Sequence, residues 1–533
     1  MTVPMQVAPA GTFTRASSGL VRQVGTLDTL WYCVLQAALP YVFFMVAFWT
    51  FYPGASMELA TLVTIVGAGA TGLVYALYSS VYPRSGGEYV FLSRTVHPAL
   101  GYASSFAMAF WQTFYFGING AFVAIYGMQP LFAALGLQMK SQALTDLGAW
   151  FATPWGIFLT GTAVVLFFGA NLYLGMKSYF DVQRWAMLIG FVSIAITLGV
   201  LALGATGALS FEKNLDEVLG AGTYQGVITA AQADGADLGA GFSLGETIRF
   251  SIWPAWSLLF AVLSVSFSGE IRNVKRGQLV GIVGGIVVSG LLLVAIQYFS
   301  RAAIGDQFLQ ASAYLFINNP DQLPLPSVWI NLLASFVANS PIITIAVNLW
   351  FVLLTAYVAA VTAVYASRAV FAWGIDGMAP RQAGTVSERY HSPTWSIVVV
   401  VIVALVLLAV YSFTDTLVIL SGLPGMGLVF LVVSLAGITF AYRHRETYEG
   451  SPARLSVFGL PLIAVAGVIG SAFCAWVVWG ALTDDTFGAN SDLSRIMVFV
   501  VPIVGFIWFY IARQYRMSRG TNVDLQFKEI PVE

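Results

Sequence analysis

Charge is what this sequence lacks most. Asp, Glu, Lys and Arg together make up 9% of its 533 residues, while 58% are apolar. Soluble domains run near one quarter charged, so a water-exposed surface of this size could not be kept solvated. The mean hydropathy of +0.81 points to lipid as the main solvent. Net charge is only −1, which gives no electrostatic reason for a nucleic-acid partner. Cysteine is scarce too: Cys33 and Cys474 are the only two, both in apolar stretches. That excludes a disulfide framework or a cysteine metal site and leaves both as small apolar fillers. The first 28 residues are polar and carry Arg15 and Arg22, unlike a cleavable signal peptide.

What is abundant is long apolar runs. They are roughly 20 residues or longer and lack period-2 alternation, so they read as membrane-spanning helices and not as barrel strands. Twelve are delimited by Gly, Pro and charge: 29–52, 58–81, 98–127, 151–173, 178–204, 246–268, 278–300, 340–372, 394–413, 415–441, 457–482 and 494–513. Residues 128–150 read as the end of a long third helix plus a loop. With these spans, 19 of the 24 basic residues fall on one side. The positive-inside rule places that side, with both termini, in the cytoplasm of a cell-membrane protein. Two connections on the other side, 205–245 and 302–339, are long, and are either solvated spacers or a partial lid over a vestibule.

Ionisable residues are nearly absent from the middles of the spans. Asp28, Glu58, Asp181, Arg184, Glu246, Arg249 and Glu270 all sit near predicted ends, and His97, His391 and His444 fall in connections. The pattern offers no metal-ligand cluster and no buried acid–base pair, which argues against catalysis. Pairing His97 with Glu88, or His391 with Glu388, would be the only route to an enzyme, and loop solvation explains both more simply.

Two prolines interrupt this apolar background. Pro40 follows Gln36 in the first span, and Pro254 lies in SIWPAWSLL (251–259) of the sixth. Each removes a helical donor and frees a carbonyl one turn earlier. Breaks in equivalent positions of two halves point to a transporter's central site. Trp253, Trp256 and Ser257 surround the second break. In the third span, Gln112, Tyr115 and Asn119 share one face, either lining a pathway or bonding helices together.

Several motifs follow one another in a familiar order: VGTLDTLWYCV (24–34), YPRSGGEYVFLSR (82–94), LYLGMKSYFDVQ (172–183), GEIRNVKRG (269–277), SRAVFAWGIDGMAP (367–380) and YRHRETYEGSPARLSVFGLP (442–461). In this order the chain resembles the amino acid–polyamine–organocation superfamily of secondary transporters. The resemblance implies an all-α protein of 12 transmembrane helices with a five-plus-five inverted repeat. Residues 1–28 would be a tail, 29–204 and 246–441 the two repeats, 205–245 an outside loop, 442–513 two peripheral helices and 514–533 a second tail. It also implies alternating access, with a site beside unwound parts of helices one and six.

By position, the first unwound segment is Ala37 to Tyr41 and the sixth lies near Trp253 to Phe260. Substrate contacts would fall on Gln36, Ala38, Tyr41, Trp253, Trp256 and Ser257, with Pro40 and Pro254 marking the breaks. The family's glycine–serine–glycine at the first break is replaced here by Leu39-Pro40-Tyr41. Gly190 stands where proton-coupled relatives carry a lysine, and a sodium site would need hydroxyls such as that of Thr355. The sequence implies no cofactor and leaves open whether Na+ or H+ is coupled. The expected function is a permease for a neutral or zwitterionic small solute, most plausibly an amino acid. The competing expectation is a membrane sensor or structural subunit that kept the fold.

Overall fold

The computed structural model describes residues 19–414, 416–417 and 421–528. Arg15 and the start of the expected tenth span, Asp415, lie outside them. Among the described residues, twelve helices are long and apolar enough to cross a membrane: Thr26–Phe51, Met57–Val81, Pro98–Gln138, Pro154–Tyr173, Met176–Ala205, Leu244–Ser266, Val274–Ile304, Pro341–Ile375, Thr394–Phe413, Leu423–Arg443, Leu462–Thr483 and Asp492–Ser518. They are called spans 1 to 12 here. Number and order match the apolar runs, because lipid leaves the backbone no other way to bond itself.

Burial ranks the spans. Spans 1 and 6 have 89% and 83% of their most apolar stretch buried, against 22% for span 12 and 33% for span 9. The first two therefore form the centre, and span 12 presents most of its surface to lipid. Small residues bring helices close, as expected where lipid removes the hydrophobic drive for association. A Cβ on Gly120 of span 3 would lie 3.0 Å from the Gly161 backbone of span 4, and one on Gly505 of span 12 would lie 2.9 Å from Ala103 of span 3.

Span 3 runs on past the expected boundary to Gln138 through a wide, π-type turn at Val123–Met128, and a further helix, Gln142–Phe151, occupies the expected loop. The two long connections are also folded. Phe211–Leu219 and Thr223–Ala233 lie in the first, Asp306–Asn318 and Ile330–Ala338 in the second. Tyr224 of the first stacks on Phe308 of the second at 4.8 Å, so they form one packed cap rather than free spacers. Between spans 10 and 11 a minimal hairpin pairs Ser456 with Pro461 and Val457 with Leu460. Its turn residues Phe458 and Gly459 both have positive φ, the requirement of a two-residue loop matched to strand twist.

The face carrying most of the basic residues is closed by short linkers. Val24 donates its N–H to the Glu270 carbonyl at 3.0 Å, and its own carbonyl accepts from Arg272 at 3.1 Å, strapping the start of span 1 to the end of span 6. Gly86 donates to the Ser266 carbonyl at 2.9 Å. Next to it Gly87 has φ 54° and ψ −128°, and a Cβ there would meet Val265 at 2.8 Å. Only glycine fits such a joint.

These linkers correct one expectation from the sequence. A buried acid–base pair does exist: Arg368 Nε donates to Glu270 Oε1 at 3.1 Å, with side chains 0% and 1% exposed. Arg94 and Asp376 form a second pair at 2.9 Å. Arg368 lies inside span 8. Sequence position near a helix end does not mean solvent, because neighbouring linkers fold over these ends.

Candidate functional site

Span 1 is not a continuous helix. Its α-helix stops at Gln36, Ala38 adopts the left-handed conformation (φ 46°, ψ 53°), a 3₁₀ turn covers Leu39–Tyr41, and an α-helix resumes at Val42–Phe48. The break thus falls at Ala37-Ala38, two residues ahead of Pro40, which sits in the first positions of the 3₁₀ turn. Pro40 fixes the site of the break from behind: without an N–H it cannot bond the Gln36 carbonyl.

Span 6 has two interruptions. Ser251 makes a turn between Leu244–Phe250 and Ile252–Leu258, and the chain then tightens to a 3₁₀ helix over Leu259–Ser266. Pro254 lies in the first turn of the middle piece, where the missing N–H leaves the Phe250 carbonyl without its helical donor. It marks the Ser251 joint rather than the 3₁₀ segment that follows.

The interrupted helices touch. The Ser257 hydroxyl of span 6 donates to the Ala37 carbonyl at the break of span 1. One turn below, Cys33 Sγ lies 3.3 Å from Ser264 Oγ. The first contact satisfies a backbone carbonyl that a regular helix would have bonded internally.

Beside this junction Gln36, Ala38 and Tyr41 of span 1, Gln112, Tyr115 and Asn119 of span 3, and Trp256 of span 6 line one cavity. Seven of the nine side chains expected to line a site or pathway on spans 1, 3 and 6 therefore converge; the exceptions are Ser257, at the junction, and Trp253. The span 3 residues are both lining and glue. Gln36 Nε2 donates to Gln112 Oε1 at 3.4 Å, Tyr41 Oη donates to Asn119 Oδ1 at 2.5 Å, and Tyr115 Oη accepts from the Gly422 N–H at 2.9 Å.

Phe260, Val358 and Thr362 complete the wall. The last two come from span 8 and were not picked out from sequence, although they fall at helical spacing from Thr355, which was. Thr355 itself is buried, and its hydroxyl has no hydrogen-bond partner.

None of the ten lining residues is charged. The cavity offers amide and hydroxyl groups on one side, including a Gln36 Oε1 with no partner, and an apolar wall of Phe260 and Val358 on the other. It is small, about 20 Å³, room for a water or two on the measure by which one water takes ~10–15 Å³.

Outside it lies a vestibule of about 520 Å³, lined by residues including Phe44, Phe48, Trp253, Tyr115 and Trp256. Trp253 stands in this vestibule, stacked on Phe48 at 4.7 Å. Trp256 and Tyr115 border both spaces. Trp256 packs against Tyr41 at 5.0 Å and Phe44 at 5.2 Å, so three rings form the partition. The vestibule rim is tied by Tyr52, whose hydroxyl donates to Asp484 at 2.7 Å and accepts from Trp253 Nε1 at 3.0 Å.

Comparison with known proteins adds to this geometry. A family model described as amino acid permease matches residues 32–509. The chain is also similar to the branched-chain amino acid permease BcaP of Lactococcus lactis subsp. cremoris (strain MG1363). The two are 24% identical over 446 residues, covering 80% of this chain and 82% of the relative.

Proposed function

The chain belongs to the amino acid permease family, and on that premise we propose that it is a secondary carrier for neutral amino acids with apolar side chains, working by alternating access. Membership makes it a multi-pass membrane transporter rather than an enzyme. The observation that carries the finer reading is the uncharged, half-apolar cavity at the two interrupted helices. A charged substrate side chain would be left unpaired there, and a lone buried charge is strongly disfavoured. An aliphatic side chain instead meets Phe260 and Val358. The ammonium group has the Gln36 carbonyl, which Pro40 cannot bond, and the free Gln36 Oε1 within the same wall. Similarity to a branched-chain amino acid permease supports the same class.

The cavity is too small for an amino acid as it stands, so loading requires the Tyr41–Phe44–Trp256 partition to move. The vestibule above it and the linkers below it describe a carrier shut on the basic face, which the distribution of Lys and Arg assigns to the cytoplasm together with both termini. The ten-helix core, built of repeats 29–204 and 246–441, or a bundle within it would rock around this point.

Uptake by the purified protein in proteoliposomes tests the reading. Labelled leucine, isoleucine or valine should accumulate or exchange saturably, with competition among the three and little from lysine or glutamate. A folded protein that neither takes up nor exchanges any neutral amino acid would sink it, in favour of a sensor that kept the fold. Within the same assay, Val358→Phe should raise KM for leucine about tenfold, since overfilling a packed wall costs ~1–3 kcal/mol. Alanine, which leaves that wall empty, should be affected less.

A further inference from the structure

Glu88 follows the Gly86-Gly87 joint in the short helix Glu88–Thr95, between spans 2 and 3 on the basic face. It is 0% exposed. Tyr365 of span 8 donates its hydroxyl to Oε1, and Oε2 has no hydrogen-bond partner. A buried carboxylate normally has a cation or several donors; among the described residues this one has one neutral hydroxyl beside its own backbone N–H.

The charged groups on the surrounding elements are engaged elsewhere. On span 8, Arg368 is held by Glu270 and Asp376 by Arg94. In the C-terminal segment, Asp524 is held by Arg513, and Lys528 is exposed. His444, after span 10, bonds the Thr95 carbonyl through Nε2. Arg84, in the linker just before this helix, donates to the Pro83 carbonyl, and Tyr75 of span 2 faces Glu88 as a neutral phenol. The Tyr75 hydroxyl also lacks a partner.

Position gives this carboxyl its meaning. Its helix hangs from Gly86, which bonds the Ser266 carbonyl, so it is pinned between span 8 and the 3₁₀ end of span 6. Opening the basic face has to part those elements and let water reach Glu88.

We propose that Glu88 is a proton-binding site of the inner closure, occupied when this face is shut and emptied when it opens. The step balances simply: the carboxylic acid O–H breaks, the proton passes to water entering from the opened side, and the carboxylate is left hydrated. Burial raises the pKa of Glu88 from 4.5 to about 8 in the closed form. Hydration returns it toward 4.5. The closed form therefore holds the proton more tightly, so the stabilisation of closure is full below about pH 4.5, weakens as pH rises and is lost by about pH 8.

The transport reading supplies only the use of this closure, and the test needs no substrate. In the full-length chain with Cys33→Ala and Cys474→Ala, Ser266→Cys places a thiol in the buried closure. Its rate of modification by a water-soluble maleimide is measured with and without Glu88→Gln, and the ratio cancels the thiol's own ionisation. The ratio of parent to Gln variant should rise at least tenfold from pH 5.5 to 8. A ratio constant within twofold overturns the proposal.

Tyr365→Phe provides the second arm and decides alone if the Gln variant does not fold. Losing the Tyr365 donor to the carboxylate should move the midpoint of the rise half a pH unit or more to the alkaline side. An unmoved midpoint counts against the proposal. A pH-dependent closure in a protein that transports no amino acid would sink the transport reading and leave this one standing.

Discussion

Arg368→Gln should destabilise the folded protein by ~3–5 kcal/mol, the range for removing one partner of a buried ion pair. Arg368 donates to Glu270 Oε1 at 3.1 Å through Nε and to Ser367 Oγ at 3.2 Å through Nη1. Removing the guanidinium strands Glu270 at 0% exposure, beneath the strap in which its carbonyl accepts from Gln23 and Val24. The effect should depend on pH. Burial already raises the Glu270 pKa even with Arg368 opposing it, and without that opposition the raise is larger. A carboxyl raised in the folded state is neutral, and harmless, below that value, and becomes an unpaired charge above it. The loss should therefore be smaller at pH 5 than at pH 8, read as the thermal unfolding midpoint in detergent. Adding Glu270→Gln should recover most of the loss at pH 8, because two neutral amides replace a stranded charge. A midpoint that is the same for parent and Arg368→Gln at pH 8 would mean that water already reaches the pair.

That pair and Glu88 mark the limit of what was legible in the sequence. Spans were readable because hydropathy acts locally, residue by residue, and lipid allows one solution for a long apolar run. The first break was readable for a related reason, since Pro40 removes a particular donor whatever surrounds it. Its exact seat at Ala38 was not, because a left-handed alanine is chosen by tertiary contacts such as Ser257 on the Ala37 carbonyl. In span 6 the proline pointed to the Ser251 joint, while the 3₁₀ stretch Leu259–Ser266 carries no proline or glycine to announce it. Glu88 read as a loop residue beside His97, and His97 instead caps its own helix through Nδ1. The partner of Glu88 is 277 positions away. Periodicity cannot reveal such a pairing, and burial of a linker depends on which helices close over it. Span 8 contributed Val358 and Thr362 to the cavity for the same reason: the face is visible in the helix, but not which neighbour it meets.

Ala38→Val should abolish transport, with kcat/KM for leucine at least 100-fold below the parent, whereas Ala38→Gly should transport within about twofold. At φ 46° and ψ 53° an L-residue bears ~1–2 kcal/mol of steric strain, and branching at Cβ makes that conformation a severe outlier. Ala38 is 2% exposed and lines the cavity, so two added methyls also take up space where the substrate would sit. Valine can relieve its strain only by drawing residues 37–39 back into regular helix. That would pull the Ala37 carbonyl off Ser257 and rotate Gln36 and Tyr41 away from Gln112 and Asn119. Glycine accepts the left-handed conformation without strain, and what it loses in chain stiffness is about 1 kcal/mol or less. Uptake kinetics normalised to folded protein, with circular dichroism and a melting curve for each variant, separate lost function from lost fold. Normal uptake by Ala38→Val would show that the left-handed joint is not needed for the carrier cycle, and that substrate is bound somewhere other than at the interruption of span 1.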